Sequence, residues 1–220
     1  MNHIHLETCP STQDHLLNLN DLSQNILVSS NFQTTGRGRR TNKWHSGHGS
    51  LSMSFTLKPN EVLTLTSAEV SILICEYFKS KIKIKWPNDL INLEGQKCGG
   101  VILQKVEETL VVGVGLNMTF IPEDKFDYPV GSILNINADF NAQSESKKLY
   151  SFILDNRLSA TEVKSRWEKI CSHLNKEVIL TEDSVEFHGK FLGIGDHGQA
   201  ILESPFEIKE LYNGSLRIKN

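Results

Sequence analysis

The chain has 220 residues, of which 39% are hydrophobic and 22% are charged, a composition typical of a folded globular protein and not of a disordered or fibrous one. Its 23 basic and 26 acidic side chains give a formal net charge of −3, which excludes a strongly basic nucleic-acid coat protein. The length favours one main domain of about 150 residues or more with a small additional unit.

The sequence contains no targeting or membrane segment that we can identify. Its N-terminus lacks the basic and apolar regions of a signal peptide, and the longest apolar run, residues 110–116, is too short to span a membrane. The four scattered cysteines form no CxxC pair. We therefore expect reduced thiols, a cytoplasmic location and no membrane partner. No histidines lie at metal-ligand spacing with companion ligands, so no metal site is predicted.

Hydrophobic periodicity predicts an α+β fold in the first 174 residues. Ser11 and Asn60 are the predicted N-caps of the first two helices. Residues 33–47 have no hydrophobic period and are predicted to form a loop, and residues 119–143 are rich in Pro, Asn and Asp and cannot be assigned. The predicted helices are 11–20, 61–79, 147–158 and 162–174, and the predicted strands are 26–32, 51–57, 81–85, 89–93, 100–105 and 109–118.

The pattern changes after residue 174. Short strand-like segments at even spacing predict a small β-barrel, and this unit carries 5 basic and 8 acidic side chains, a net charge of −3. We therefore expect a mixed-sheet domain with flanking helices over residues 1–174 and a small barrel over residues 175–220. The predicted barrel strands are 178–180, 185–191, 199–203 and 207–211, with a tail at 216–219.

The most basic segment is QTTGRGRRTNK, residues 33–43. It carries four positive charges and no acid, so the rest of the chain sums to −7. Glycines allow the backbone to approach a ligand closely, and guanidinium groups can contact phosphate or carboxylate oxygens with two parallel hydrogen bonds. The segment predicts anion binding, and the alternative is a solvated basic loop or an RNA-contacting patch.

Three further motifs lie beside or within predicted strands. Residues 85–89 (KWPND) combine a cation, an amide and a carboxylate that could orient a nucleoside triphosphate with its magnesium, although a plain hairpin explains the Pro and Asn equally well. Lys97 precedes two glycines and could bring its ammonium group against a substrate. Gly113 and Gly115 remove two side chains from one face of a strand, which predicts room for a ligand there.

Other matches to known motifs are interpreted as accidental. Residues 193–198 fit GxGxxG, but strands flank the segment on both sides, which favours a hairpin turn. The chain contains no GxxxxGK[ST] sequence, so any use of ATP would not be of the P-loop type, and it contains no GxSxG nucleophile signature.

Taken in order, these segments resemble the biotin protein ligase family, whose members attach biotin to carboxylase carrier domains. The resemblance implies a class II synthetase-like catalytic domain of the biotin–lipoate ligase type, followed by an SH3-like barrel. It also implies that biotin and ATP, with Mg²⁺, form biotinyl-5′-AMP, from which biotin passes to a lysine of a biotin carboxyl carrier protein. The residues that carry the resemblance are Ser11-Thr12-Gln13, Phe32-Gln33, Gly36-Arg37-Gly38-Arg39-Arg40 with Trp44, Lys85-Trp86-Pro87-Asn88-Asp89, Lys97 with Gly99-Gly100, and Gly113 to Met118.

The resemblance further implies residue roles. Lys97, placed between the biotin carboxylate and the α-phosphate, and Arg39, which retains the intermediate, are the expected catalytic residues. The residues expected to contact biotin or the adenylate are Ser11, Thr12, Gln13, Gln33, Arg37, Gly38, Arg39, Lys97, Gly100, Gly113 and Gly115. The residues expected on the nucleotide side are Arg40, Trp44, Lys85, Asn88, Asp89 and Asn117.

The sequence departs from the family pattern at two places: Gln13 stands where an Asn is usual, and Thr41-Asn42 stands where Gly-Arg is usual. Only ten residues precede Ser11, too few for the winged helix-turn-helix of the repressor members, so we expect a ligase with no DNA partner. The oligomeric state, a homodimer included, stays open.

Two alternative functions are weighed. One is a lipoate or octanoate ligase or transferase of the same superfamily, which would not share the GRGRR and KWPND segments. The other is a nucleic-acid-binding module that uses the Arg-rich loop, which the acidic C-terminal unit disfavours.

Overall fold

The computed structural model describes residues 1–40, 42–79, 81–123 and 126–219. The helices are α1 (Thr12–Leu17), α2 (Thr66–Tyr77), α3 (Ala142–Asp155) and α4 (Ala160–Ile170), and a 3-10 turn, Leu63–Leu65, precedes α2. The strands are β1 (Asn2–Cys9), β2 (Ile26–Gln33), β3 (Gly36–Arg37), β4 (Lys43–Trp44), β5 (Ser50–Leu57), β6 (Ile82–Lys85), β7 (Asp89–Asn92), β8 (Lys97–Val106), β9 (Thr109–Asn117), β10 (Glu177–Glu182), β11 (Val185–Ile194), β12 (Ala200–Glu203), β13 (Ile208–Leu211) and β14 (Ser215–Ile218).

A seven-stranded mixed sheet organises the first part of the chain, as predicted. Its order is β1-β2-β5-β9-β8-β7-β6, in which β1 and β2 are parallel and the other neighbours are antiparallel. The alternating apolar residues of β5 are completely or almost completely buried in the main core. Phe55 on this strand packs against Tyr150 of α3 with 4.6 Å between the ring centroids. The opposite face of β5 presents small polar side chains, of which Ser54 lines the cavity described below.

The helical predictions are confirmed in kind and corrected in detail. Ser11 caps α1 by accepting a hydrogen bond from the Asp14 N–H at 3.3 Å, but α1 ends at Leu17, short of the predicted residue 20. Asn60 does not cap α2. Its side-chain amide instead donates to the Glu69 carboxylate and to the Leu158 carbonyl, both at 2.9 Å. Glu69 is completely buried, and a buried carboxylate requires such donors.

One strand of the large sheet was not predicted. Residues 2–9 form β1, an edge strand that pairs with β2 in parallel. Its sequence, NHIHLETC, is mostly polar, and the strand is partly exposed, so no apolar alternation marks it. A parallel pairing also joins segments that are distant in sequence, which local patterns do not reveal.

The C-terminal strands form a second, antiparallel sheet of order β13-β12-β11-β10-β14. The four predicted segments and the tail correspond to its five strands, and residues 193–198 contribute to the predicted turn between β11 and β12. The sheet is open, because β13 and β14 lie at its two edges, so closure into a barrel is not confirmed. In the described residues, no helix combines the length and apolarity needed to cross a membrane.

Candidate functional site

A cavity of about 890 Å³ lies where the large sheet, the residue 36–44 hairpin and the C-terminal sheet meet. It brings together residues from distant parts of the sequence, and all but one of the predicted site residues line it. The predicted residues in the lining are Ser11, Thr12, Gln13, Gln33, Arg37, Gly38, Arg39, Arg40, Trp44, Lys85, Asn88, Asp89, Lys97, Gly100, Gly113 and Gly115. The exception is Asn117.

Asn117 lies at the end of β9, buried and away from this lining. Its side-chain amide donates to the Gly131 carbonyl at 3.1 Å, and its backbone carbonyl accepts from the Ile133 N–H at 2.8 Å. Its Oδ1 atom has no hydrogen-bond partner among the described residues. The contacts that the structure gives Asn117 therefore hold the segment after β9, and a nucleotide contact stays a prediction.

A buried polar network forms one wall of the cavity. Gln33 Oε1 accepts hydrogen bonds from the Thr12 N–H at 2.7 Å and from the Thr12 hydroxyl at 3.1 Å. The Thr12 hydroxyl is 2.9 Å from the Ser54 hydroxyl, which donates to Gln13 Oε1 at 3.1 Å. These side chains are almost fully buried, so the network holds amide and hydroxyl groups in fixed positions at the cavity wall.

Gln13, where the family has Asn, uses its extra length inside the protein. Its side-chain amide donates to the Val111 carbonyl at 3.2 Å, in addition to accepting from Ser54. A Cβ atom at Gly113 would lie 2.6 Å from Gln13 Oε1. The space that the missing Gly113 side chain leaves is therefore filled by Gln13, and the prediction that this glycine leaves room for a ligand is wrong in that respect.

Gly115 shows the same relationship with an aromatic ring. A Cβ atom there would lie 2.5 Å from Cε2 of Trp44, so the indole packs directly on the strand backbone. The indole Nε1 is buried without a hydrogen-bond partner in the part of the chain that the structure describes. A buried N–H without an acceptor is uncommon, and here it belongs to a residue that lines the cavity. Gly100 is less crowded, since its nearest neighbour would be the Asn88 carbonyl at 3.3 Å.

The basic segment forms a short hairpin of β3 and β4, where a loop was predicted. The Gly38 N–H donates to the Asn42 carbonyl at 2.8 Å, and the Asn42 N–H donates to the Arg39 carbonyl at 3.1 Å. Arg40 adopts a left-handed backbone conformation, with φ of 55°. Of the two departures in this loop, Asn42 therefore helps to close the hairpin, whereas Thr41 lies outside the described residues.

Two arginines of the hairpin are held by other elements. Arg37 forms an ion pair of 2.7 Å with Asp14 of α1. The Arg39 guanidinium donates to the Asn88 side-chain oxygen at 3.1 Å, and the Asn88 amide donates to the Val101 carbonyl at 2.8 Å. Burial, together with the neighbouring charge of Arg40, lowers the pKa of Arg39. A cation that is partly desolvated in this way gains more from an anionic ligand than a solvated one.

Asp89 is shared by two ammonium groups. Its carboxylate lies 2.6 Å from the Lys97 Nζ and 3.9 Å from the Lys85 Nζ. Burial lowers the pKa of Lys85; the nearby Asp89 raises it, and Lys97 lowers it. One carboxylate therefore fixes two cations of the cavity wall without neutralising both.

Trp86, within the KWPND motif, has a different environment from its neighbours. It is almost fully buried in the main core, and its indole N–H donates to the Gly198 carbonyl at 3.0 Å. The motif is thus more than a hairpin: it also ties β6 and β7 to the turn between β11 and β12.

Several lining residues were not predicted. Phe126 and Tyr128 lie in the segment that could not be assigned, and their rings are 5.5 Å apart. The second sheet and the segment leading to it contribute as well. A signal for the aromatic pair is the sequence FDYP within a polar segment, but nothing local connects it to the cavity. The unpredicted lining residues of the C-terminal part are Ser172, Lys176, Gly214, Ser215, Leu216, Arg217 and Ile218.

The lining is strongly cationic. Among the described residues, its charged side chains are eight cations, Arg37, Arg39, Arg40, Lys43, Lys85, Lys97, Lys176 and Arg217, and two carboxylates, Asp89 and Asp127. Such an excess raises the local concentration of anionic ligands. Among the described residues, no three His, Cys, Asp or Glu side chains are grouped so as to hold a metal ion. An ion that brings its own phosphate and water ligands needs only one or two carboxylates, which this lining contains.

A second cavity, of about 680 Å³, shares the hairpin arginines and residues 86–88 with the first. Its other walls come from the start of α2, from β8 and from the β11–β12 turn. Arg39 and its partner Asn88 therefore lie at the boundary of two cavities.

The chain matches the family model for the biotin/lipoate A/B protein ligase family over residues 6–118. It is similar to the bifunctional ligase/repressor BirA of Escherichia coli strain K12, at 27% identity over 98% of this chain and 73% of that protein. It is 24% identical to the biotin–[acetyl-CoA-carboxylase] ligase of Paracoccus denitrificans, over 84% of this chain and 86% of that protein. Among solved structures it is similar to the biotin protein ligase of Aquifex aeolicus in complex with biotin and ATP, with a TM-score of 0.83, 29% identity and 99% of both chains covered.

Proposed function

The chain belongs to the biotin/lipoate A/B protein ligase family, and we propose that within it this protein is an ATP-dependent biotin–protein ligase. Its substrates would be biotin, ATP and a lysine of a biotin carboxyl carrier protein. The relatives named as biotin ligases support the choice of biotin over lipoate. The observation that carries the proposal is the placement of Lys97 and Arg39, each held by a polar partner, in the same cavity as the buried Thr12–Gln33 network.

The chemistry of the first step matches this arrangement. A carboxylate oxygen of biotin attacks the α-phosphorus of ATP, the bond to the β,γ-phosphates breaks, and biotinyl-5′-AMP and pyrophosphate result. Two anions must approach each other, so cations are needed to screen their repulsion and to stabilise the charge that develops on the phosphoryl oxygens. We propose that the Lys97 ammonium lies between the carboxylate and the α-phosphate, and that Arg39 retains the adenylate.

In the second step, the amine of the acceptor lysine attacks the acyl carbon of the adenylate. A C–N bond forms, the C–O bond to AMP breaks, and AMP leaves with the electron pair. The other residue roles are proposed on the same basis. Ser11, Thr12, Gln13 and Gln33 would form the biotin end of the site with the glycines at 100, 113 and 115, and Arg37 and Gly38 the adenylate end. Arg40, Trp44, Lys85, Asn88, Asp89 and Asn117 would lie on the nucleotide side.

Gln13 and Trp44 differ in whether their polar groups are free to contact a ligand. Because the Gln13 amide is occupied by Ser54 and Val111, we propose that it shapes the wall and does not bind the ligand directly. The Trp44 N–H, buried and unpaired among the described residues, is available to a ligand acceptor.

Mg²⁺ would enter with ATP and supply further screening of the phosphate charges when bound. In the part of the lining that the structure describes, Asp89 and Asp127 are the carboxylates that would complete its shell of oxygen ligands. We further propose a boundary at residues 174/175 and an SH3-like character for the C-terminal sheet. A cytoplasmic location is supported by the four cysteines, which are all free thiols.

The direct test is exchange between ATP and labelled pyrophosphate, which reports the first step alone. We expect exchange that depends on biotin, and loss of about a hundredfold or more when Lys97→Ala removes the central cation. Lys209→Ala, outside the cavity lining, is the control. Exchange that requires lipoate or octanoate in place of biotin would contradict the proposal.

A further inference from the structure

The ring of Tyr128 lies against the ammonium group of Lys97. The Lys97 Nζ is 5.2 Å from the ring centroid, within the distance at which an aromatic face attracts a cation. Asp89 contacts the same ammonium at 2.6 Å. Lys97 is thus restrained by two groups of different chemistry, one a full negative charge and the other an uncharged ring.

The backbone fixes the ring relative to the lysine. The Lys97 N–H donates to the Pro129 carbonyl at 2.8 Å, and the Gly131 N–H donates to the Lys97 carbonyl at 3.0 Å. Tyr128, which precedes Pro129, is therefore anchored to the peptide units of the residue whose side chain it contacts. The Phe126 ring centroid lies 5.5 Å from that of Tyr128, with the rings tilted, and 5.4 Å from that of His45, edge to face.

The two restraints differ in what they do to an anionic substrate. A carboxylate competes with the substrate for the ammonium group and offsets its charge. A ring face limits the conformations of the lysine side chain and leaves the positive charge undiminished for the reacting oxygens. The restraint from Tyr128 is therefore the one that can persist when the ammonium turns from Asp89 to the ligand.

We propose, as a deepening of the ligase function proposed above, that Tyr128 is a positioning residue: its ring holds the Lys97 ammonium in place while the adenylate forms. The hydroxyl group is not needed for this role. Tyr128 is 44% exposed, so a change at this position is not expected to unfold the chain.

The test compares Tyr128→Leu, which removes the aromatic face, with Tyr128→Phe, which keeps it. In biotin-dependent ATP–pyrophosphate exchange, we expect Tyr128→Leu to lower kcat by about threefold to thirtyfold. The KM values for biotin and ATP should change much less, and Tyr128→Phe should restore kcat. Phe206→Leu is the matched control, since Phe206 is 95% exposed and lies outside both cavity linings.

A second experiment asks whether the effect passes through the lysine. When Lys97 is already replaced by Gln, Tyr128→Leu should lower the residual exchange no further. An additional drop of the same size in that background, or a failure of Tyr128→Phe to restore kcat, would overturn the proposal.

The contact itself is measured without activity. With ¹³C-labelled lysine, the Lys97 Cε–H resonance is assigned by its loss in Lys97→Arg, and its ring-current shift should vanish in Tyr128→Leu and remain in Tyr128→Phe. An identical resonance in the unsubstituted chain and Tyr128→Leu would refute the contact. Absence of biotin-dependent exchange in the unsubstituted chain, with the ring-current shift present, would instead refute the ligase function.

Discussion

The indole of Trp44 occupies the space that a side chain at Gly115 would fill. A Cβ atom at Gly115 would approach Cε2 of the Trp44 ring to 2.5 Å, closer than non-bonded carbon atoms approach each other. The ring thus requires a glycine at this position, and the ring in turn forms part of the cavity wall.

Gly115→Ala should therefore displace the indole or strain β9. Overpacking of this kind costs about 1–3 kcal/mol of the free energy of unfolding, and we expect weaker biotin binding because the wall moves. Urea denaturation and calorimetry with biotin measure the two effects. Gly100→Ala is the control for stability alone, since its Cβ would meet only Asn88, whose carbonyl lies at 3.3 Å and whose side-chain nitrogen lies at 3.9 Å. Equal stability and biotin affinity of Gly115→Ala and the unsubstituted chain would contradict the packing argument.

Arg39→Gly should release biotinyl-5′-AMP faster. The guanidinium is held by Asn88 at 3.1 Å, and a hydrogen bond from a charged group is worth about 1.5–3 kcal/mol, or about tenfold to a hundredfold in the dissociation rate. Release is measured by trapping the free adenylate. Asn88→Ala should produce part of the effect, because it leaves Arg39 without its anchor. The control Arg166→Ala removes an arginine of α4 that lies outside the cavity lining; an unchanged rate in Arg39→Gly would assign retention of the adenylate to other residues.

Glu69 should be a major determinant of stability. Its completely buried carboxylate accepts hydrogen bonds from the Arg157 Nε at 2.6 Å, the Leu158 N–H at 2.9 Å and the Asn60 amide at 2.9 Å. Removing one partner of a buried ion pair costs about 3–5 kcal/mol, so we expect Glu69→Ala to lower the free energy of unfolding by that amount.

A matched change on the same helix provides the comparison for Glu69. Glu76 pairs with Arg166 at 3.1 Å. Both side chains are more than a third exposed, Glu76 at 34% and Arg166 at 38%. Glu76→Ala should cost less than about 1 kcal/mol. Denaturation of both variants in urea tests the contrast, and similar losses would mean that burial does not set the strength of these pairs.

His173 should make the protein less stable in mild acid. Burial lowers its pKa to about 3 from 6.5, so the folded chain keeps the ring neutral while the unfolded chain becomes protonated as the pH falls below about 6.5. The stability from this residue is complete above that pH and is lost as the pH falls towards 3. Between pH 7 and pH 5 the loss is about 2 kcal/mol.

The measurement is the free energy of unfolding at pH 7 and pH 5 for the unsubstituted chain and for His173→Phe. The phenyl ring keeps the contacts with Trp167 and Phe191 and cannot be protonated. We expect the difference between the two pH values to shrink by that amount in the variant. His188→Phe, on the exposed surface, is the control. If His173→Phe has the same pH dependence as the unsubstituted chain, the buried ring does not titrate as described.

Sequence patterns predicted those features that depend on neighbouring residues. The alternation of β5 and the Ser11 cap follow from local spacing. The predicted site residues, apart from Asn117, all line one cavity. What fills the space beside Gly113 and Gly115 could not be predicted, because Gln13 and Trp44 reach these glycines from distant segments.

The dependence on distant segments also explains why some lining residues were not predicted. Tyr128 and Arg217 line the cavity only because of how the chain folds back on itself, and no periodic pattern marks either position. The strand β1 escaped prediction because its exposed residues are polar. The capping prediction for Asn60 failed because α2 begins only at Thr66, after a 3-10 turn. The Asn60 Oδ1 atom, which would accept in a cap, accepts from the Val62 N–H at 3.2 Å instead.

The hydrogen bond from the Trp86 indole to the Gly198 carbonyl links the large sheet to the β11–β12 turn of the C-terminal sheet. Two residues after Trp86, the Asn88 side chain holds Arg39. Displacement of the β11–β12 turn would therefore shift residues 86–88, and with them the Asn88 contact to Arg39 of the hairpin. The position of the second sheet therefore helps to set where the Asn88 side chain meets Arg39 at the cavity wall.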